Sequence, residues 1–290
     1  MTVVGVACAG LLWWALGPDH SSTPPHRHHR LGSLTLTWPT DGQSAIELVG
    51  AGYHTSGSER PVPIASLAKV MTAYVVLRES PLGAGHAGFT MAMTTADADE
   101  ALADKDSDQS SVPVEPGETL TEREALEALL LPSANNIAHA LAEHSPGGEP
   151  AFVQAMNTEA RSLHMTRTRY TDPSGLDPAT TSTALDQLRL ARAAMRQPTF
   201  ATIVAMRHAV VPVAGSIVNT DSLLGHDGFV GIKTGSTSAA GGCFMFEARR
   251  IRAGRSRVVI GAVLGQRGGP LIDAGLSSAD NLVRTTMAQI

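Results

Sequence analysis

The chain has 290 residues with 22 Lys or Arg against 27 Asp or Glu, a formal net charge of −5. That length holds one large domain or two small ones, and a content of 43% hydrophobic and 17% charged residues describes a globular protein with a sizeable core. So mild an acidity argues against nucleic acid as a partner.

Thr2 to Gly17 is almost entirely apolar and includes Trp13 and Trp14. A membrane-spanning helix needs about 20 apolar residues, so this run is short for one and fits the apolar region of a secretory signal better. No Lys or Arg precedes it and no clean small-x-small cleavage site follows, which keeps an uncleaved anchor as the alternative. Either way the expectation is an extracytoplasmic protein, secreted or held at the outer face of the cytoplasmic membrane. Pro18 and a Pro- and His-rich stretch to residue 31 read as a linker. Its His26-Arg27-His28-His29-Arg30 cluster could bind a metal but reads more simply as a solvated basic spacer. Residues 1–31 are therefore expected to be a signal or anchor with its linker, and residues 32–290 one domain without internal repeats. Of the two cysteines, Cys8 lies in the apolar run, which argues against a Cys8–Cys243 disulfide. Cys243 follows two glycines in an expected strand and reads as a small buried hydrophobe.

The domain opens with expected strands near Ser33–Thr37 and Ala45–Tyr53, followed by a strongly apolar helix from about Ser66 to Leu77. The middle, about Thr121 to Arg196, reads as mostly helical, and Thr121-Glu122-Arg123-Glu124 opens one helix as a capping box. Strands are expected near His208–Val213, Phe229–Thr234, Gly242–Arg249 and Arg257–Leu264, the last two forming an antiparallel hairpin around Arg252-Ala253-Gly254-Arg255. A closing helix runs from about Pro270 to Met287. Strands, a helical block, then strands and a helix predict an α/β (α+β) fold: an antiparallel sheet covered by helices, with a helical subregion.

Three short motifs carry the chemistry. Lysine occurs only at Lys69, Lys105 and Lys233, and two of these fall within the motifs. In Ser66-Leu67-Ala68-Lys69, positions i and i+3 share a helix face, so the Lys69 amine can reach the Ser66 hydroxyl. The helix is apolar on most faces, and burial beside a second cation would lower the Lys69 pKa enough for a neutral amine to take the serine proton. Read alone, Ser66 is also an ordinary N-cap beside a snorkelling lysine. Ser133-Ala134-Asn135 follows Pro132, which breaks the helix and puts a hydroxyl and an amide on an inter-helix turn; alone, it reads as another N-cap. Lys233-Thr234-Gly235 ends an expected strand. There Lys233 supplies a fixed positive charge, Thr234 a hydroxyl for a carboxylate, and Gly235 a bare backbone along which a substrate chain can lie. Alone, it reads as an edge strand with a solubilising lysine. Each motif occurs once, and helix start, inter-helix turn and strand fit together.

With these motifs, S-x-x-K, S-x-N and K-T-G, the sequence over roughly residues 40–290 resembles the serine D-alanyl-D-alanine carboxypeptidases, the low-molecular-mass penicillin-binding proteins. The stretches Ser111–Glu118, Thr171–Leu176 and Asn219–Leu224 look similar too. The resemblance implies that Ser66 attacks the carbonyl between two terminal D-alanines of a peptidoglycan stem peptide, with Lys69 as base. It implies that Ser133 relays the proton to the leaving amine and that Lys233 holds that hydroxyl. Asn135 would orient the substrate amide and Thr234 bind the terminal carboxylate. The backbone amides of Ser66 and Ser236 would form the oxyanion hole, with about 3 kcal/mol per donor. It also implies inhibition by β-lactams and no metal or organic cofactor.

A β-lactamase shares the scaffold, but class A enzymes carry S-D-N and a glutamate that activates water; here the second motif is Ser-Ala-Asn, and the Asp172–Leu176 region offers no E-x-x-L-N. A β-lactamase or a DD-endopeptidase on the same scaffold, or a non-catalytic penicillin-binding wall sensor, stand as the alternatives.

Overall fold

In the computed structural model, which describes residues 35–57, 59–252 and 254–290, the first two and last three strands meet in one sheet and the segment between them forms a helical cover. The chain begins with β1 (Gln43–Leu48), β2 (Gly52–Thr55) and β3 (Val62–Pro63). A 3-10 turn over Ala65–Leu67 leads into α1 (Ala68–Glu79). Then come β4 (Thr90–Ala92), α2 (Thr95–Asp106), β5 (Thr119–Thr121), α3 (Glu122–Leu130), α4 (Asn135–His144), α5 (Gly148–Ser162), β6 (Thr181–Ser182), α6 (Ala184–Ala194) and α7 (Pro198–Val204). The chain closes with β7 (His208–Val211), β8 (Gly215–Val218), β9 (Phe229–Thr237), β10 (Gly241–Arg252), β11 (Arg255–Gln266) and α8 (Leu271–Met287).

The main sheet is antiparallel, in the order β2-β1-β11-β10-β9. Its two faces follow from the period-two alternation of strand side chains. Phe244, Phe246, Val259 and Val263 point to one side, where Leu276, Ala279, Leu282 and Val283 of α8 cover them. Cys243, Met245, Ile260 and Leu264 belong to the opposite core, shared with α1 and α6. There α1 is buried from Ala68 through Leu77, as expected of a helix apolar on most faces. It is wrapped by α3, α4, α5, α6 and α7. The site therefore lies where this enclosed helix begins, against the β9 edge of the sheet.

The mixed α/β architecture, the helical middle, the β10–β11 hairpin and the closing helix agree with expectation. So does the Thr121 capping box: its hydroxyl accepts from the Glu124 amide while the Glu124 carboxylate accepts from the Thr121 amide. Cys243 is fully buried, and burial pushes its thiol up to about 12. Other expectations are corrected. The strand expected over Ala45–Tyr53 breaks into a hairpin, because Val49-Gly50-Ala51 turns, with Gly50 at φ +85. Thr35–Thr37, the described part of the expected Ser33–Thr37 strand, has no regular structure. The helix expected from Ser66 starts at Ala68, after the 3-10 turn. Helix α2 was not foreseen. The signal or anchor, the linker, the His26–Arg30 cluster and Cys8 lie outside the described residues. Among the described residues no helix is long and apolar enough to cross a membrane.

Candidate active site

The residue before Ser66 sets the corner on which the site is built. Ala65 adopts φ +48, a left-handed conformation that costs a non-glycine residue about 1–2 kcal/mol. It turns the chain sharply from β3 into the 3-10 turn and leaves Ser66 half-exposed while its neighbours Ala65 and Leu67 are buried. The segment Asp172–Leu176 packs beneath this corner. Gly175, at φ +80, lies so close that a Cβ there would sit 1.9 Å from the Ala65 carbonyl oxygen. The Asp172 carboxylate ties the segment together by accepting from Ser174 Oγ (2.6 Å), the Gly175 and Leu176 amides (2.7 and 2.9 Å) and Thr180 Oγ1. Thr72 Oγ1 of α1 donates to the Pro173 carbonyl at 2.6 Å, which clamps the segment to the helix.

Lys69 lies one turn into α1 and is fully buried. Its Nζ contacts three oxygens: Ser66 Oγ at 3.0 Å, Asn135 Oδ1 at 2.7 Å and the Ser174 carbonyl at 3.0 Å. Burial first, and the charge of Lys233 second, hold its pKa well below the usual lysine value; Asp172 and Asp104 oppose this. A neutral amine has two N–H donors and one lone pair. Two of the three oxygens, an amide oxygen and a backbone carbonyl, can only accept. Ser66 Oγ alone carries a hydrogen, so neutral Lys69 donates to Asn135 and Ser174 and receives the Ser66 proton on its lone pair. In that state the Ser66 hydroxyl is the one of these three partners that can give Lys69 a proton.

Asn135 opens α4 after the turn at Ser133, another left-handed non-glycine residue (φ +70). Its backbone amide donates to the Ser110 carbonyl at 2.7 Å and its side-chain amide to Gln109 Oε1 at 3.2 Å, so the loop after α2 anchors it. Ser133 Oγ is buried without a hydrogen-bond partner, and so is Lys233 Nζ. The bond expected between them is not formed. Burial lowers the Lys233 pKa to about 7, and Asp221 only partly offsets this. Asp221 is itself pushed up to about 6 by burial.

On β9, Thr234 Oγ1 lies 2.6 Å from Thr220 Oγ1. A Cβ on Gly235 would come within 2.9 Å of the Ser66 amide nitrogen, so only glycine lets the strand approach the corner this closely. Ser236 follows, paired with Gly242 of β10. The structure thus joins Ser66, Lys69 and Asn135 by hydrogen bonds and brings Gly235 against Ser66, with the charge of Lys233 acting on Lys69. The Ser174 carbonyl, the Asp172 brace, Thr220 and Asp221 had no assigned role in the sequence. A backbone carbonyl has no residue signature. Asp221 had one available signal, a carboxylate in a stretch already marked as family-like, in a chain with three lysines.

A serine hydroxyl 3.0 Å from a buried lysine whose pKa is held well below its ordinary value, on the first turn of a helix beside the edge of an antiparallel sheet, defines a serine acyl-transfer peptidase. The D-alanyl-D-alanine carboxypeptidase family model matches residues 54–266, and the chain belongs to that family. It is 40% identical over 231 residues to D-alanyl-D-alanine carboxypeptidase DacB2 of Mycobacterium tuberculosis, covering 76% of this chain and 74% of that one. It is 34% identical over 260 residues to a D-alanyl-D-alanine endopeptidase of Pseudomonas aeruginosa, covering 83% and 77%. The crystal structure of the Streptomyces K15 DD-transpeptidase superposes with a TM-score of 0.73 at 29% identity, over 87% of this chain and all of that one.

Proposed function

We propose that this serine peptidase removes the terminal D-alanine from peptidoglycan stem pentapeptides through an acyl-enzyme on Ser66. The observation that carries the reading is the donor and acceptor arithmetic at Lys69, which leaves its lone pair only the Ser66 hydroxyl. In the first step the Ser66 proton passes to Lys69 Nζ as Oγ bonds to the carbonyl carbon of the penultimate D-alanine. The Ser66 and Ser236 amides face the developing oxyanion, which such donors stabilise by about 3 kcal/mol each. Collapse breaks the C–N bond. The proton on Lys69 reaches the leaving D-alanine nitrogen through Ser133, whose open hydroxyl valence suits a relay. Thr234 and protonated Lys233 receive the terminal carboxylate, and Asn135 aligns the substrate amide. Water then attacks the ester and returns Ser66 with its proton.

The Asp172 carboxylate is consumed by its four donors, which speaks against a β-lactamase-like use of this segment to activate the deacylating water. A β-lactam that acylates Ser66 is therefore expected to leave slowly. The apolar N-terminal run supports an extracytoplasmic location, secreted or attached to the membrane through that segment. The test is D-alanine release from a peptide ending in D-Ala-D-Ala, compared with Ser66→Ala. Release by the wild type alone supports the reading, and equal background release by both proteins overturns it.

A further inference from the structure

Beyond Arg250 and Arg257, β10 and β11 have no other strand beside them among the described residues and form a hairpin next to the end of α8. Five of the nine residues Arg249 to Arg257 are arginine, in a chain of net charge −5. Register sets Arg250 opposite Arg257. Directly opposed residues share one face of an antiparallel pair, and like charges there destabilise it. Glu247 pairs with Arg249, and Asp227 with Arg250 at 2.6 Å. Arg257 Nε is buried without a hydrogen-bond partner. Near the tip Ile251 is 83% exposed, more than any other large hydrophobic side chain among the described residues. Arg250, Ile251 and Arg257 line a cavity of about 350 Å³ together with Met287, Ala288 and Ile290 at the end of α8.

The entry of the chain into the fold lies at the same end. The Thr35 amide donates to Gln289 Oε1 at 2.9 Å, and Gln289 Nε2 donates to the Thr35 carbonyl at 2.8 Å. Thr35, where the described residues begin, therefore lies beside the cavity. The catalytic strand lies at the other end. Met245 pairs with Lys233, and Arg252 is seven residues further along β10, about 24 Å at ~3.4 Å per residue.

We propose that this end of the molecule is a docking surface for an anionic lipid bilayer. A headgroup phosphate sits between Arg250 and Arg257, and Ile251 reaches into the interface. An anion layer relieves the opposed Arg250–Arg257 pair, and the cleft is held away from the lipid. The choice of lipid rests on the extracytoplasmic reading above, whereas the surface itself does not.

The test mixes the full chain with phosphatidylcholine vesicles and with vesicles containing equal phosphatidylglycerol, and reads the ratio of the two partition constants. An arginine near an anionic surface contributes about fivefold in affinity. The wild type is expected to favour the anionic vesicles by about tenfold or more, a preference that collapses in about 0.5 M salt. Arg255→Glu with Arg257→Glu is expected to reduce the ratio by about 25-fold or down to unity. The double lysine variant should keep most of it, and Ile251→Ser should lower it modestly. Penicillin acylation at the wild-type rate verifies that each variant is folded. A wild-type ratio near one, or equal ratios for wild type and the Glu variant, overturns the proposal. So does hairpin-dependent binding to soluble polyglycerol phosphate without any vesicle preference, which would assign the surface to a wall polymer. Binding to the neutral vesicles reports the N-terminal segment, so the failure of that attachment is seen separately.

Discussion

Lys69 and Lys233 are both at most 1% exposed, yet the protein holds them in opposite ways. Lys69 Nζ has three oxygen partners supplied by three different segments, whereas Lys233 Nζ has none. Burial lowers both pKa values. For Lys69 the fixed partners leave the Ser66 hydroxyl as the only one of them that can supply a proton once the amine is neutral. Lys233 keeps an open valence beside Asp221, whose carboxyl burial pushes up to about 6, and its own pKa is lowered to about 7. One lysine is built as a proton acceptor, and the other as a charge held ready for a carboxylate. The contrast teaches that burial alone does not assign a lysine's role; the hydrogen-bond inventory around it does.

The most severe way to break the contrast is Lys69→Arg. Guanidinium stays charged, so the segment could still be held while the lone pair is gone. Release of D-alanine and β-lactam acylation are both expected to fall by about 10³-fold or more, as removal of such a base does elsewhere. Acylation within tenfold of wild type would reassign the base.

Lys233→Met separates charge from structure. A buried amine without partners lowers stability, and a methionine of similar volume does not carry that cost. Melting is expected to rise by about 2–4 °C, the response to about 1 kcal/mol in a domain of this size. D-alanine release should drop by about 10²-fold as the substrate carboxylate loses its cation. The pH dependence of stability tests the same point. With the folded pKa near 7 and the unfolded one at the ordinary 10.5, the unfolded state binds more protons between those values, so Lys233 makes stability rise with pH across that window. The variant should lose that part of the rise. A lower melting temperature with an unchanged slope would show that Lys233 is satisfied in solution.

Much of this was legible before any coordinates. The β10–β11 hairpin follows from two apolar runs around a Gly-containing turn, and Thr121 with Glu124 specified their own capping box. Ser66, Lys69 and Asn135 could be paired from helix spacing and resemblance. Helix α2 was not legible, because its sequence TADADEALADKD buries only Ala101 and Asp104 and so shows no apolar stripe; its start is set by the Thr94–Asp97 capping box. The corner at Ala65 escaped notice because alanine gives no hint of a left-handed backbone. Ser174 acts through its carbonyl, and that carbonyl is positioned by Asp172 through a fold-back that motif spacing does not express. The hydrogen bond expected from Lys233 to Ser133 failed because sequence identifies donors and acceptors but not their separation.

The smallest effect sharpens the comparison on the Lys233 side. Asp221 is the charge that raises the Lys233 pKa against burial, and Asp221→Asn removes it with little change in volume. For kcat/KM, activity rises with pH as Lys69 loses its proton and falls as Lys233 loses its own, so the falling limb is expected near 7 in the wild type. Without Asp221 the Lys233 proton leaves at lower pH, and the falling limb should move to the acid side. The rising limb, set first by burial of Lys69 and only second by the charge of Lys233, should move less than the falling limb. At pH 6 the loss of activity should be slight, and it should widen with pH. A shift of both limbs together would mean that the two lysines titrate as one unit. An unmoved falling limb would mean that it reports some other group, and the division of labour between the two lysines would have to be redrawn.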